Sequence, residues 1–160
     1  MAEKPLLKDI SALPAYRITP QDTVRLVPLT GPDDKSPTSV FVEIWDPEGR
    51  QPDNSHPESV EIFVFLKGEG VAQSDEHSAP VKAGDVLVLP EGSVHHITNT
   101  SSSERLYALT VMANDLGSQP EESDMPGFHA LVTAGIEVEL DEADLAVIGA
   151  HATTVAKYVS

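Results

Sequence analysis

The chain has no cysteine, so disulfides and thiolate metal sites are excluded. It is also poor in basic residues. Ten Lys and Arg stand against 26 Asp and Glu, for a formal charge of −16 and a pI near 4.5. A surface of that sign repels phosphate backbones and anionic lipids, so neither nucleic acid nor a membrane is an expected partner. Apolar runs are short throughout, and none approaches the ~20 residues of a membrane-spanning helix. Met1 to Asp9 holds no apolar run of signal-peptide length. The cytoplasm is the expected location. Internal repeats and low-complexity tracts are absent, and no attached DNA-binding domain supports a regulator of transcription.

A chain of 160 residues fits one domain, long enough to bury roughly 70% of the surface it exposes when unfolded. Residues 1–22 hold Pro5, Pro14 and Pro20 with weak periodicity and read as an N-terminal arm. From Thr23 the pattern changes. Thr23 to Leu29 alternates as a strand, with Pro28 marking an edge. Ser39 to Trp45 is a strong β run, with Val40, Val42 and Ile44 on one face and Phe41, Glu43 and Trp45 on the other. Short strands follow at Val71–Ser74 and Pro80–Lys82, with His77 in the polar turn between them, and Arg105 to Met112 is the last clear strand. Many short strands punctuated by Gly and Pro predict an all-β barrel or sandwich over residues 23–113. Residues 114–160 read as a linker followed by helical segments. A short helix is predicted near Pro126 to Val132, and a second over Asp141 to Gly149, with Asp141 as N-cap and Gly149 as C-cap.

Two stretches carry the chemistry. Gly84 to Asn99 runs as an apolar strand from Val86 to Leu89, turns at Pro90-Glu91-Gly92 and resumes at His95. His95, Ile97 and Asn99 then share a face, and His96 points to the other. Gly49 to Gly70 contains Asn54 and His56, two apart and therefore co-directed on an extended backbone. Glu61 opens a strand with Phe63 and Phe65 on its face. His56 and Glu61 are five apart, so they share a face only if a turn at Pro57-Glu58-Ser59 breaks the parity.

In these two stretches the chain resembles the cupin family. That family's second motif, Gly-x5-Pro-x-Gly-x2-His-x3-Asn, is matched at Gly84, Pro90, Gly92, His95 and Asn99. Its first motif sets His-x-His ahead of a Glu and closes on a Gly. Here Gly49, His56, Glu61 and Gly68 match, and Asn54 stands where the family has its first His. The resemblance implies a double-stranded β-helix, or jelly-roll barrel, with metal ligands at His56, Glu61 and His95. Asn54 is the departure: it is a weak oxygen ligand or a holder of metal-bound water.

Two His and one carboxylate suit a divalent Fe, Mn, Ni or Zn ion with positions left open. Phe63 and Phe65 are expected to wall the cavity, Tyr107 to add an aromatic edge or to be simple core, and Trp45 to be core or an interface anchor. Arg50 and Lys67 are the nearest cations in sequence, each a candidate grip for an anion or a solvated surface group. His77, His129 and His151 read as structural or solvent-facing. The resemblance implies a small-molecule ligand and a homodimer. Two function classes follow: a metal-dependent enzyme with dioxygenase-type or isomerase/decarboxylase chemistry, and a non-catalytic binding or sensing barrel whose metal site is weak or vestigial.

Overall fold

The computed structural model describes residues 4–57, 59–113 and 134–156, without the side chains of 32, 113 and 150–156. The expected linker, the short helix near Pro126 and His129 lie outside the described residues, as does the side chain of His151.

Among the described residues the strands are β1 (Ala15–Arg17), β2 (Val24–Thr30), β3 (Thr38–Trp45), β4 (Glu61–Lys67), β5 (Glu69–Ser74), β6 (His77–Lys82), β7 (Val86–Leu89), β8 (His95–Asn99), β9 (Leu106–Ala113) and β10 (Ile136–Val138). A single long helix, α1 (Glu142–Ala156), follows. The strands form a seven-stranded sheet in the order β10-β1-β2-β3-β9-β4-β7 and a three-stranded sheet in the order β6-β5-β8. The stretch from Arg50 to His56 extends the second sheet. It lies antiparallel to β8 through bridges at Arg50–Thr98 and Asn54–His95, with Gln51 N–H donating to the Ile97 carbonyl at 3.1 Å. This is the all-β jelly-roll architecture the sequence implies.

Alternation decides what each face of the large sheet meets. In β3, β9 and β4 one set of side chains points into the barrel. Trp45, Phe63, Phe65, Leu89, Ile97 and Leu106 are buried there between the two sheets. Burial of each large apolar side chain is worth about 1.5–3 kcal/mol, so this cluster is the main apolar stabilisation of the barrel. Trp45 is fully enclosed, so of the two expectations for it, core and interface anchor, it is core.

The opposite face of the same sheet is also covered. Val27, Val42, Ile44 and Tyr107 pack against Ile148 of α1 and Ala15 of β1. Tyr107 is thus on the outer face, paired with Ile44, and its hydroxyl donates to Asp144 of α1 at 2.8 Å. The expectation that Tyr107 edges the cavity is corrected by this parity: Phe65 and Ala108 are inward, so Tyr107 must be outward. Burial and the Asp144 carboxylate push the Tyr107 phenol up to about 12.

Asp144 also meets Arg25 at 2.5 Å and Arg105 at 3.0 Å, so one buried acid clamps α1 to β2 and β9. The helix start follows the expected capping. Asp141 Oδ1 accepts from Asp144 N–H at 2.9 Å, and Asp144 Oδ2 accepts from Asp141 N–H at 3.2 Å, a reciprocal cap. Gly149 does not end the helix, which runs on to Ala156. Gly149 is a half-buried position in mid-helix where an added Cβ would meet nothing within 4 Å. β10, which pairs with β1, is not foreseen in the sequence.

Candidate metal centre

The second motif builds its side chains from a tight turn. Gly92 has φ +74, a left-handed conformation that glycine adopts without strain. Its N–H donates to the His56 carbonyl at 2.9 Å, and Ser55 Oγ donates to the Gly92 carbonyl at 3.0 Å. The turn is therefore stitched to the end of the first motif. Beyond it, His95 and Asn54 exchange both backbone hydrogen bonds, at 2.8 and 3.0 Å. Directly opposed residues of an antiparallel pair carry their side chains on one face, so Asn54 shares the face of His95.

The parity break between His56 and Glu61 is present. Ser59 N–H donates to the His56 carbonyl at 3.4 Å, closing a turn before β4 begins at Glu61. As a result His56, Glu61 and His95 each offer a ligand atom, all within 4.8 Å of one another. His95 Nε2 lies 2.7 Å and His56 Nε2 3.7 Å from Glu61 Oε2. The two imidazole centroids are 5.5 Å apart.

The His95 tautomer is set from behind. Nδ1 lies 3.0 Å from the Ser93 carbonyl, which can only accept, so Nδ1 carries the hydrogen and Nε2 presents its lone pair to Glu61. Glu61 and His95 are 4% and 2% exposed. Although they are so close, Glu61 Oε2 and His95 Nε2 make no hydrogen bond of acceptable geometry. A buried imidazole nitrogen and a buried carboxylate oxygen face each other at 2.7 Å out of hydrogen-bonding alignment, an arrangement that carries a free-energy cost unless a proton or a cation joins them. Burial pulls His95 toward neutrality, but the Glu61 carboxylate, the Ser93 carbonyl and Asp75 outweigh it and hold its pKa above the ordinary 6.5. The site attracts positive charge. Its donors, imidazole nitrogen and carboxylate oxygen, suit a borderline divalent cation.

The remaining candidates separate cleanly. Phe63 and Phe65 lie on the Glu61 face, with stacked rings 6.2 Å apart, and continue the barrel core from the triad. His96 points outward, with Nδ1 2.8 Å from Asp53. Arg50 pairs with Asp53 at 2.7 Å and approaches His96 at 3.0 Å. Lys67 and His77 are exposed. Asn99 is a structural lock: its amide donates to the Asp46 and Glu104 carbonyls at 2.9 and 2.8 Å. Surface clefts of about 420 and 320 Å³ open beside the N-terminal arm. Neither includes a triad residue, and neither has convergent donors.

One residue near the site was assigned no role from sequence. Glu43 is fully enclosed on the inward face of β3. Its carboxyl accepts from Gln51 Nε2 and from Thr110 Oγ1 at 3.3 Å. Burial, then the nearby charge of Glu61, push its pKa well above the usual carboxylate range, and the two donors offset only part of this. The available signal was its parity, since Glu43 shares a face with Phe41 and Trp45.

Comparison with known proteins agrees with this fold. Residues 41–112 match the family model described as a cupin domain. An oxalate-binding protein of Thermotoga maritima is 37% identical over 59 residues, covering 37% of this chain and 49% of that protein. Germin-like protein 8-10 of Oryza sativa subsp. japonica is 30% identical over 99 residues, covering 51% of this chain and 44% of its own. The chain thus spans about half the length of the curated relatives it matches. Among solved structures, a Cupin 2 conserved barrel domain protein from Salinispora arenicola CNS-205 superposes with a TM-score of 0.54 at 26% identity, covering 72% of this chain and 90% of that one. A predicted oxalate decarboxylase from Thermotoga maritima gives a TM-score of 0.61 at 24% identity, over 68% and 98% of the two chains, a likeness of fold.

Proposed function

The chain belongs to the cupin superfamily, and from that premise we propose that its barrel holds a divalent metal on His56, Glu61 and His95 and acts there on a small organic molecule. The observation that carries this reading is the pair of buried, unsatisfied donors, Glu61 Oε2 and His95 Nε2, with His56 beside them.

When bound, such a cation supplies Lewis-acid polarisation of an oxygen-bearing substrate in its open positions. The chain's residues do the rest. Ser93 keeps the His95 lone pair aimed inward. Phe63 and Phe65 keep water from the inner side of the centre. Asn54, on the face of His95, supplies an amide in place of a third imidazole and leaves more room for substrate. The relatives named for oxalate favour a short carboxylic or keto acid as ligand. Dioxygenase-type and isomerase/decarboxylase chemistry both suit such a molecule.

A second reading has its own support. The Thermotoga relative is described as a binding protein, and a barrel that captures a small acid without converting it uses the same centre. We further read residues 23–113 as the barrel domain, flanked by an arm (1–22) and a C-terminal segment (114–160).

Elemental analysis of untagged protein tests the metal directly. Near-stoichiometric Fe, Mn, Ni or Zn is expected, and His95→Ala should lose it. Unchanged metal content in His95→Ala, or none in the wild type after reconstitution, rejects the ligand set.

A further inference from the structure

The barrel interior holds a second carboxylic acid that the metal reading leaves unused. Glu43 projects inward from β3 of the large sheet, and both its oxygens are engaged, one by Gln51 Nε2 and the other by Thr110 Oγ1 at 3.3 Å. Gln51 is buried as well and is engaged at its other end. Its side-chain oxygen accepts from Ile97 N–H at 3.0 Å, while its own backbone N–H donates to the Ile97 carbonyl at 3.1 Å. Gln51 therefore grips β8 two residues from His95 and stands three residues before Asn54. Its amide reaches across the barrel to the opposite sheet.

The metal donors are divided along the same line. Glu61 belongs to β4 of the large sheet. His95 belongs to β8 of the small sheet, and His56 ends the stretch that pairs with it. Their spacing is the spacing of the two sheets at that level. Apolar contacts set such a spacing loosely because they are non-directional; a hydrogen bond has a preferred length and angle. Asn99 ties the two sheets at the far end of β8; at the metal end the backbone crosses between them through the Pro90–Gly92 and His56–Ser59 turns, and the Gln51–Glu43 contact adds a side-chain tie through the barrel interior. Thr110 sits on β9, between β3 and β4, opposite Phe63, so it fixes the Glu43 carboxyl from the strand next to Glu61. A buried acid also carries a desolvation cost that an apolar residue of the same volume does not, so filling the core does not by itself account for Glu43.

We propose that Glu43 and Gln51 are positioning residues for the metal centre: their hydrogen bond across the barrel sets the distance from Glu61 to the two imidazoles. The proposal rests on the metal reading above. Neither residue contributes a ligand. Their effect passes through β8 and the Arg50–His56 stretch.

The test compares Gln51→Met, which keeps the side-chain length and removes both hydrogen bonds, with Glu43→Gln. The latter keeps an acceptor oxygen for Gln51 and can donate to Thr110. Mn²⁺ is titrated into metal-free protein, and the electron paramagnetic resonance spectrum of the Mn²⁺-saturated centre is recorded. Gln51→Met should bind Mn²⁺ about tenfold more weakly or worse, the usual scale for groups that orient ligands, and its saturated spectrum should change. Glu43→Gln should rescue both readouts to wild-type values. If Gln51→Met does not fold, Gln51→Asn, one methylene too short to span the gap, takes its place with the same expectation. Wild-type binding in Gln51→Met overturns the proposal. So does a lowered unfolding midpoint with an unaltered spectrum, which marks a merely structural role. So does a Glu43→Gln loss equal to that of Gln51→Met, because charge rather than spacing would then govern the site. A wild type that takes up no Mn²⁺ instead fails the metal reading, and this proposal with it.

Discussion

At the scale of single residues, the site depends on which acids and imidazoles are buried together. Asn54 shares the face of His95 through a direct backbone pairing. Asn54→His should therefore add an imidazole and tighten Mn²⁺ or Zn²⁺ binding by about tenfold or more, read by competition with a chelator. No gain would mean that position 54 does not reach the metal. Glu43 gives a pH prediction. Its pKa is raised in the folded protein above the ordinary 4.5, so the native state holds a proton that the unfolded chain has lost. Its contribution is complete below that ordinary value and is lost as pH rises through the folded pKa. In metal-free protein the urea midpoint should fall as pH rises above that ordinary value, and Glu43→Gln should flatten that fall. An identical slope in the variant would refute the assignment. The triad was legible because His and Glu stand at fixed offsets from Gly and Pro turns. Glu43 was not, because an acid within an alternating run ordinarily marks the solvent face. Only the Phe41 and Trp45 parity shows that here it points inward.

At the scale of elements, strands were easier to read than faces. β3, β7 and β8 follow from β-branched alternation bounded by Gly and Pro. Parity divides β9 into two sets of side chains, but both are apolar at every position except Thr110 because both faces of the sheet are covered. Nothing in the local pattern says that Tyr107 goes to the helix side and Ala108 to the barrel. The pairing with β3 and β4 decides it. Gly149 resembles a cap, so the sequence predicts an early end to α1, yet the helical ladder continues past it. β10 is not legible in the sequence because three residues carry too little periodicity. The docking of α1 gives the prediction at this scale. Asp144→Ala removes the acid that meets Arg25, Arg105 and Tyr107 and leaves Arg25, 4% exposed, short of a partner. Breaking a buried ion pair from one side costs about 3–5 kcal/mol, so chemical denaturation should show a loss of that order. Asp141→Ala, which removes the N-cap, should cost about 1 kcal/mol. Equal effects of the two variants would contradict the clamp.

At the scale of the whole molecule, two sheets of unequal size enclose an apolar core whose polar end gathers donors from both. The large sheet supplies Glu61, and the small sheet with its added stretch supplies His56 and His95. No helix among the described residues is long and apolar enough to cross a membrane. The account is tested most directly by an anomalous difference map from crystals grown with Mn²⁺. It predicts one strong peak inside the barrel, about 2.0–2.3 Å from His56, Glu61 and His95. A peak bonded elsewhere, or a barrel with no peak and either imidazole turned away from Glu61, would contradict it.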